Sequence, residues 1–120
     1  MALRIYLKNE IGISCASIDD GNKMLQLISP ELTKGNSIEV DFEGVNQVLT
    51  PFLNSSFGKL LRHFGKEQIM TNIVIRNVSD DRLNQINGFI ERKDKEFTSA
   101  IEREIIQEMF DEDDLTDSSL

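Results

Sequence analysis

Two adjoining stretches constrain this chain most: Ile38–Glu39–Val40–Asp41–Phe42–Glu43–Gly44–Val45 and Leu49–Thr50–Pro51–Phe52–Leu53–Asn54–Ser55–Ser56–Phe57–Gly58. Ile38, Val40 and Phe42 alternate with Glu39 and Asp41, the period-two pattern of a strand with one apolar face. Thr50 is placed to cap a helix, and Pro51 suits its first position, where a missing N–H costs nothing. Phe52, Leu53, Phe57, Leu60, Leu61 and Phe64 then form an apolar stripe at helical spacing. A strand, a tight exit loop and a helix opening at once are the parts of an open α/β sheet, in which the loop at the strand's C-terminal end binds ligands and partners. Here that loop offers Asn46, Gln47, Thr50, Ser55 and Ser56: amides and hydroxyls, without the acid, base or metal ligand that most chemistry needs.

The rest of the chain fits around this unit. Leu3–Ile5–Leu7 against Arg4–Tyr6–Lys8 alternates as a strand, Asn9–Glu10 can turn, and Ile11–Cys15 predicts a second strand, hence an N-terminal antiparallel hairpin. Asp19 or Asp20 is expected to cap a helix carrying Met24, Leu25, Ile28 and Leu32, which Pro30 should end or bend. Gly65 suits a helix stop, Ile73–Val74–Ile75 a buried strand, and Ser79 a cap with Asp80 and Asp81 in the first turn. Leu83, Ile86, Phe89 and Ile90 continue that helix, and a separate final helix is expected from about Lys95 to Phe110, with Phe97, Ile101, Ile105 and Met109 in a stripe. The order is β-β-α-β-α-β-α-α: an α/β chain with a small mixed sheet and helices mainly on one face.

Composition narrows the function. The 120 residues suit one domain, and no apolar run approaches the roughly 20 residues that span a bilayer. The start of the chain lacks the apolar core of a secretion signal, so a cytoplasmic location is expected. Cys15 is the sole cysteine and His63 the sole histidine, which excludes an internal disulfide and a cysteine zinc cluster. No calcium-loop spacing, nucleophile elbow or glycine-rich phosphate loop occurs, so neither a catalytic set nor a metal or cofactor is expected. Asp41 and Glu43 share a strand face without a base or metal ligand to work with. The net charge is −8, and taking away the five acids of the last ten residues leaves −3. Neither part carries the basic stripe that nucleic-acid binding needs.

Asp41–Phe42–Glu43–Gly44–Val45, Thr50–Pro51–Phe52–Leu53, Phe57–Gly58–Lys59–Leu60 and Phe64–Gly65 resemble the bacterial STAS-like domain family of unknown function, the DUF4325 group. Ile75–Arg76–Asn77–Val78–Ser79–Asp80 matches that family's way of ending a strand before a helix, and the resemblance spans roughly Ile11 to Ile90. It implies a STAS-like α/β fold related to anti-sigma factor antagonists, which bind a GHKL-type ATPase kinase and accept phosphate on a serine at the start of the helix after the strand. The antagonist pattern Asp-Ser-Ser-Gly falls here on Leu49, Thr50, Pro51 and Phe52. The helix-start aspartate is missing and Pro51 stands at the usual acceptor position, which leaves Thr50 as the nearest hydroxyl, with Ser55 and Ser56 a turn further on.

The resulting expectation is a STAS-like domain over residues 1–93, a helix over 94–110 that packs on the domain or on a partner, and a disordered acidic tail over 111–120. The expected function is that of a non-enzymatic regulatory, partner-switching module. It would bind a GHKL-type ATPase or histidine-kinase-like protein through Asn46, Gln47, Thr50, Ser55 and Ser56, without nucleic acid or membrane. The alternative from another class is a module that forms a homodimer through its C-terminal helix; nucleotide binding, which related domains can show, ranks below both.

Overall fold

A computed structural model describes the backbone from Leu3 to Ser118 and the side chains as far as Glu104. β1 (Leu3–Tyr6) runs into a single helical turn, α1 (Leu7–Glu10), and a two-residue strand, β2 (Ser14–Cys15), precedes α2 (Ile18–Thr33). β3 (Ile38–Asp41), the short β4 (Gln47–Val48) and α3 (Thr50–Leu53) follow. A π-helical turn, Asn54–Gly58, joins α3 to α4 (Lys59–Phe64), and α5 (Lys66–Asn72), β5 (Ile73–Arg76) and α6 (Asp80–Ser118) complete the chain.

All strand pairs are parallel. The main sheet has the order β1-β3-β5, and a second two-stranded pair joins β2 to β4. The expected antiparallel hairpin is therefore corrected. Leu7 is fully buried, and its carbonyl accepts the N–H groups of Ile11 (2.8 Å) and Gly12 (3.0 Å). Burying this side chain coils the chain where an extended Leu7–Lys8 would have continued β1, and β2 leaves to pair with β4.

Register explains the alternation. Leu3, Ile38 and Ile73 lie abreast, as do Ile5, Val40 and Ile75, on the apolar face; Arg4, Glu39 and Val74, and Tyr6, Asp41 and Arg76, lie on the other. Ile38 and Val40 are fully buried in one core with Met24, Ile28, Leu32, Phe52, Phe57, Leu60 and Ile86. The opposite face is polar: Arg76 Nε pairs with Glu39 Oε1 at 2.8 Å, and the Arg4 guanidinium lies 5.6 Å from the Tyr6 ring centre.

Helix ends follow local chemistry. Ser17, not Asp19 or Asp20, caps α2: its hydroxyl accepts the Asp20 N–H at 3.0 Å, and the Asp20 carboxylate accepts the Ser17 N–H at 3.3 Å. Pro30 lies inside α2, which runs on to Thr33. At that point proline removes one bond of the last turn only, so the helix finishes instead of breaking. Gly65, with φ +86°, stops α4, as its freedom from a Cβ permits. The helix that follows it at once, α5, has no counterpart in the sequence reading.

α6 is one helix of 39 residues where two were expected. Nothing between Ile90 and Lys95 breaks it, and extending a formed helix is far easier than nucleating another. Its bounds also take in residues 111–118 of the segment expected to be disordered; residues 119–120 lie outside the described residues.

α2 sits directly on the π-helical turn. A Cβ on the buried Gly21 would stand 1.7 Å from Ser55 Oγ and 2.6 Å from the Phe52 carbonyl oxygen. Gly21→Ala should therefore lower stability by about 1–3 kcal/mol, the usual cost of overpacking, and a chemical-denaturation midpoint equal to wild type would show that α2 can shift away freely.

Candidate functional site

The loop after β3 is pinned on both sides. Val45 N–H closes a turn on the Phe42 carbonyl at 3.0 Å. Asn46 N–H then donates to the Ile13 carbonyl at 2.8 Å and Leu49 N–H to the Cys15 carbonyl at 3.0 Å, which lays β4 along β2. The Ser14 hydroxyl donates to Gln47 Oε1 at 2.7 Å. From the other side α6 reaches over, with Gln85 Nε2 donating to the Val48 carbonyl at 3.1 Å and Arg82 Nη2 to the Asn46 carbonyl at 3.4 Å. The second nitrogen of that guanidinium, Nη1, is buried without a protein hydrogen-bond partner.

This framework sorts the five candidates. Asn46, Gln47 and Thr50 are exposed, whereas Ser55 and Ser56 are 3% and 0% exposed. Ser55 Oγ donates to the carbonyls of Pro51 (2.9 Å) and Phe52 (3.2 Å), and Ser56 Oγ to that of Phe52 (2.7 Å). They stabilise the π-helical turn, and the folded chain presents neither hydroxyl to a modifying enzyme. Thr50 differs from its expected capping role. The helix opens at Leu49, whose extended backbone (φ −111°, ψ 159°) precedes Thr50 as first helical residue, and no side chain caps the end. The Thr50 hydroxyl thus stands at an uncapped helix start.

Two residues outside those five candidates flank this surface. Ile18, 59% exposed, and Leu49, 41% exposed, stand close to Pro51 at the adjacent starts of α2 and α3. A groove of about 370 Å³ runs between these helix starts, lined by Ile18, Pro51, Asn54, Ser55 and Lys59. Ile18 shares a helical stripe with Gly21 and Leu25, so its spacing alone points it inward, yet it is exposed as the first residue of α2. No signal in the local pattern marks it.

Asp41 is structural. It is 1% exposed and its carboxylate accepts Arg4 Nη2 at 3.1 Å, Asn77 Nδ2 at 2.9 Å and the Glu43 N–H at 2.8 Å. Glu43 lies beyond β3 and is exposed, so the two acids do not work as a pair. Asn77, with φ +53°, adopts the left-handed conformation that this contact selects. Cys15 is fully buried; desolvation first, and the nearby Asp20 charge second, push its thiol up to about 11 against a smaller opposing effect of Arg82. Among the described residues no three His, Cys, Asp or Glu side chains gather as a metal site, and no helix is long and apolar enough to cross a membrane.

The sequence profile of the STAS-like domain of unknown function (DUF4325) matches residues 20–83. The chain belongs to this family. The match takes in α2 through the start of α6 and so includes the pinned loop, the π-helical turn and Asp41. No curated protein and no solved structure matches the chain.

Two outcomes are expected. Asp41→Ala should cost about 1.5–3 kcal/mol, the scale of hydrogen bonds to a charged group, seen as a lower denaturation midpoint; an unchanged midpoint would reduce the network to decoration. Cys15 should resist a thiol reagent at pH 8 in the native chain, since a thiol titrating near 11 is almost wholly protonated there, and react at once in denaturant. Equal rates in both states would contradict its burial.

Proposed function

We propose that this STAS-like domain is a non-enzymatic, cytoplasmic regulatory module of bacterial origin that binds a protein partner, a GHKL-type ATPase, through the surface around Leu49, Thr50 and Pro51. The observation that carries this reading is the exposed apolar rim of Ile18 and Leu49 beside the groove at the start of α3. Exposed apolar side chains beside a groove, rimmed by polar residues, suit a protein interaction surface. The hydrogen bonds of β4 to β2 and α6 hold this surface in one conformation, so little ordering would be lost on binding. Asn46 and Gln47 supply the polar rim, while Ser55 and Ser56 support it from below.

Thr50 gives the surface its switch. A phosphate on this exposed hydroxyl would sit at an uncapped helix start, which favours negative charge, and would place about two charges in the middle of the interface. The modification would be tolerated by the fold and felt by the partner.

The test is titration calorimetry of the purified chain against GHKL-type ATPase domains from the same host. Binding should weaken at least tenfold in Ile18→Glu and Leu49→Glu and in the phosphomimetic Thr50→Glu, with unchanged circular dichroism. Equal affinity for the wild type and all three variants, or no binding to any such domain, would overturn the proposal.

A further inference from the structure

We propose that two copies of this chain pair through α6 in an antiparallel, two-fold arrangement, which lays the acidic end of each α6 over a cationic cleft of the other. The cleft lies between α4 and α6 and has a volume of about 130 Å³, with Asn54, Gly58, Lys59, Arg62, Lys93 and Phe97 around it. Lys59 Nζ donates to the neutral Asn22 Oδ1 at 2.8 Å, and the Arg62 guanidinium lies 6.0 Å from the Phe97 ring centre. Among the described residues neither has a carboxylate partner. Lys93 has only Glu96, at 3.1 Å on the same exposed helix face. Two cations without a counter-charge, beside a third whose one partner is a neighbour on its own helix, are unexpected in a chain of net charge −8.

The complementary segment lies in the same chain. Residues 108–117 hold Glu108, Asp111, Glu112, Asp113, Asp114 and Asp117 and no base. It cannot serve its own cleft: in one continuous helix, residue 111 lies about 27 Å beyond residue 93 at 1.5 Å per residue. A second copy can deliver it. Ile86, Phe89 and Ile90 bury α6 against the body, Phe97 is half-buried, and from there the helix leaves its support: Ile101 is 57% exposed and residues 102–104 are all exposed. In proteins a helix draws most of its stability from packing an amphipathic face, which the exposed residues 101–104 do not do within one copy.

Direction follows from charge. A parallel pair would set the acidic ends side by side. Antiparallel pairing about a two-fold axis beside residue 103 sets position 101 against 105, 97 against 109 and 93 against 113, so apolar positions meet at the centre and positions 111–114 reach the partner's Lys59, Arg62 and Lys93. The same patch serves both copies, the usual form of a two-fold interface. Leu49 and Thr50 do not line the cleft, whereas Asn54 and Lys59 line both it and the groove beside Pro51.

Light scattering on the full chain tests this. At low salt the mass should be twice the chain's 13.7 kDa and should fall toward one copy as salt rises. Ile101→Asp should give a monomer with unchanged helix content. Lys59→Glu with Arg62→Glu should weaken association at least tenfold, and adding Asp111→Lys and Asp113→Lys to that variant should restore it. A wild-type monomer at every concentration would overturn the proposal. So would a dimer indifferent to Ile101→Asp, or charge reversals that the compensating pair does not rescue.

Discussion

One buried carboxylate holds together the end of the sheet from which the rest of the structure hangs. Asp41 closes β3 and is bonded to Arg4 on β1, to Asn77 just after β5 and to the backbone of its own exit turn. Three parallel strands carry no hairpins to tie them, so their C-terminal ends are joined here by side chains. The cost of burying the charge is offset because its partners occupy both oxygens, and Arg4 keeps part of its guanidinium in water. With the strand ends set, Asn77 turns left-handed, Ser79 caps α6, and the helix comes back across the sheet end to pin β4.

That crossing gives the candidate surface its character. A loop after a strand is ordinarily a mobile segment, yet here both neighbours of β4 hold it by backbone carbonyls and amides, contacts that do not depend on which side chains the loop carries. The side chains are left to face outward. Below them the π-helical turn widens the helix so that Ser55 and Gly21 meet at contact distance, and the two serine hydroxyls take up carbonyls at the turn. Burial, with the Asp20 charge beside it, holds the Cys15 thiol up at about 11, so it stays protonated near neutral pH.

Much of this was legible residue by residue. The alternation of Ile38, Val40 and Phe42, the stripe from Phe52 to Phe64, the stop at Gly65 and the cap at Ser79 all stand in the structure where their spacing put them. Of the candidate residues, Asn46, Gln47 and Thr50 are exposed at the loop, whereas Ser55 and Ser56 are buried. At the start of a helix every residue is within one turn of every other, and only the position of α2 decides which of them meets solvent.

The sequence by itself determined the α/β character, the family and the strand–loop–helix unit, because apolar periodicity, glycine and capping residues act over a few neighbouring residues. The tertiary structure alone decided that β2 pairs with β4 and not with β1, that Asp41 is a structural clamp, and that Ile18 joins Leu49 at the surface. These outcomes depend on pairings between residues 30 or more positions apart. Local pattern carries no term for them: the same Leu7 can extend a strand or turn into the core, and which it does is settled by what else must be buried there.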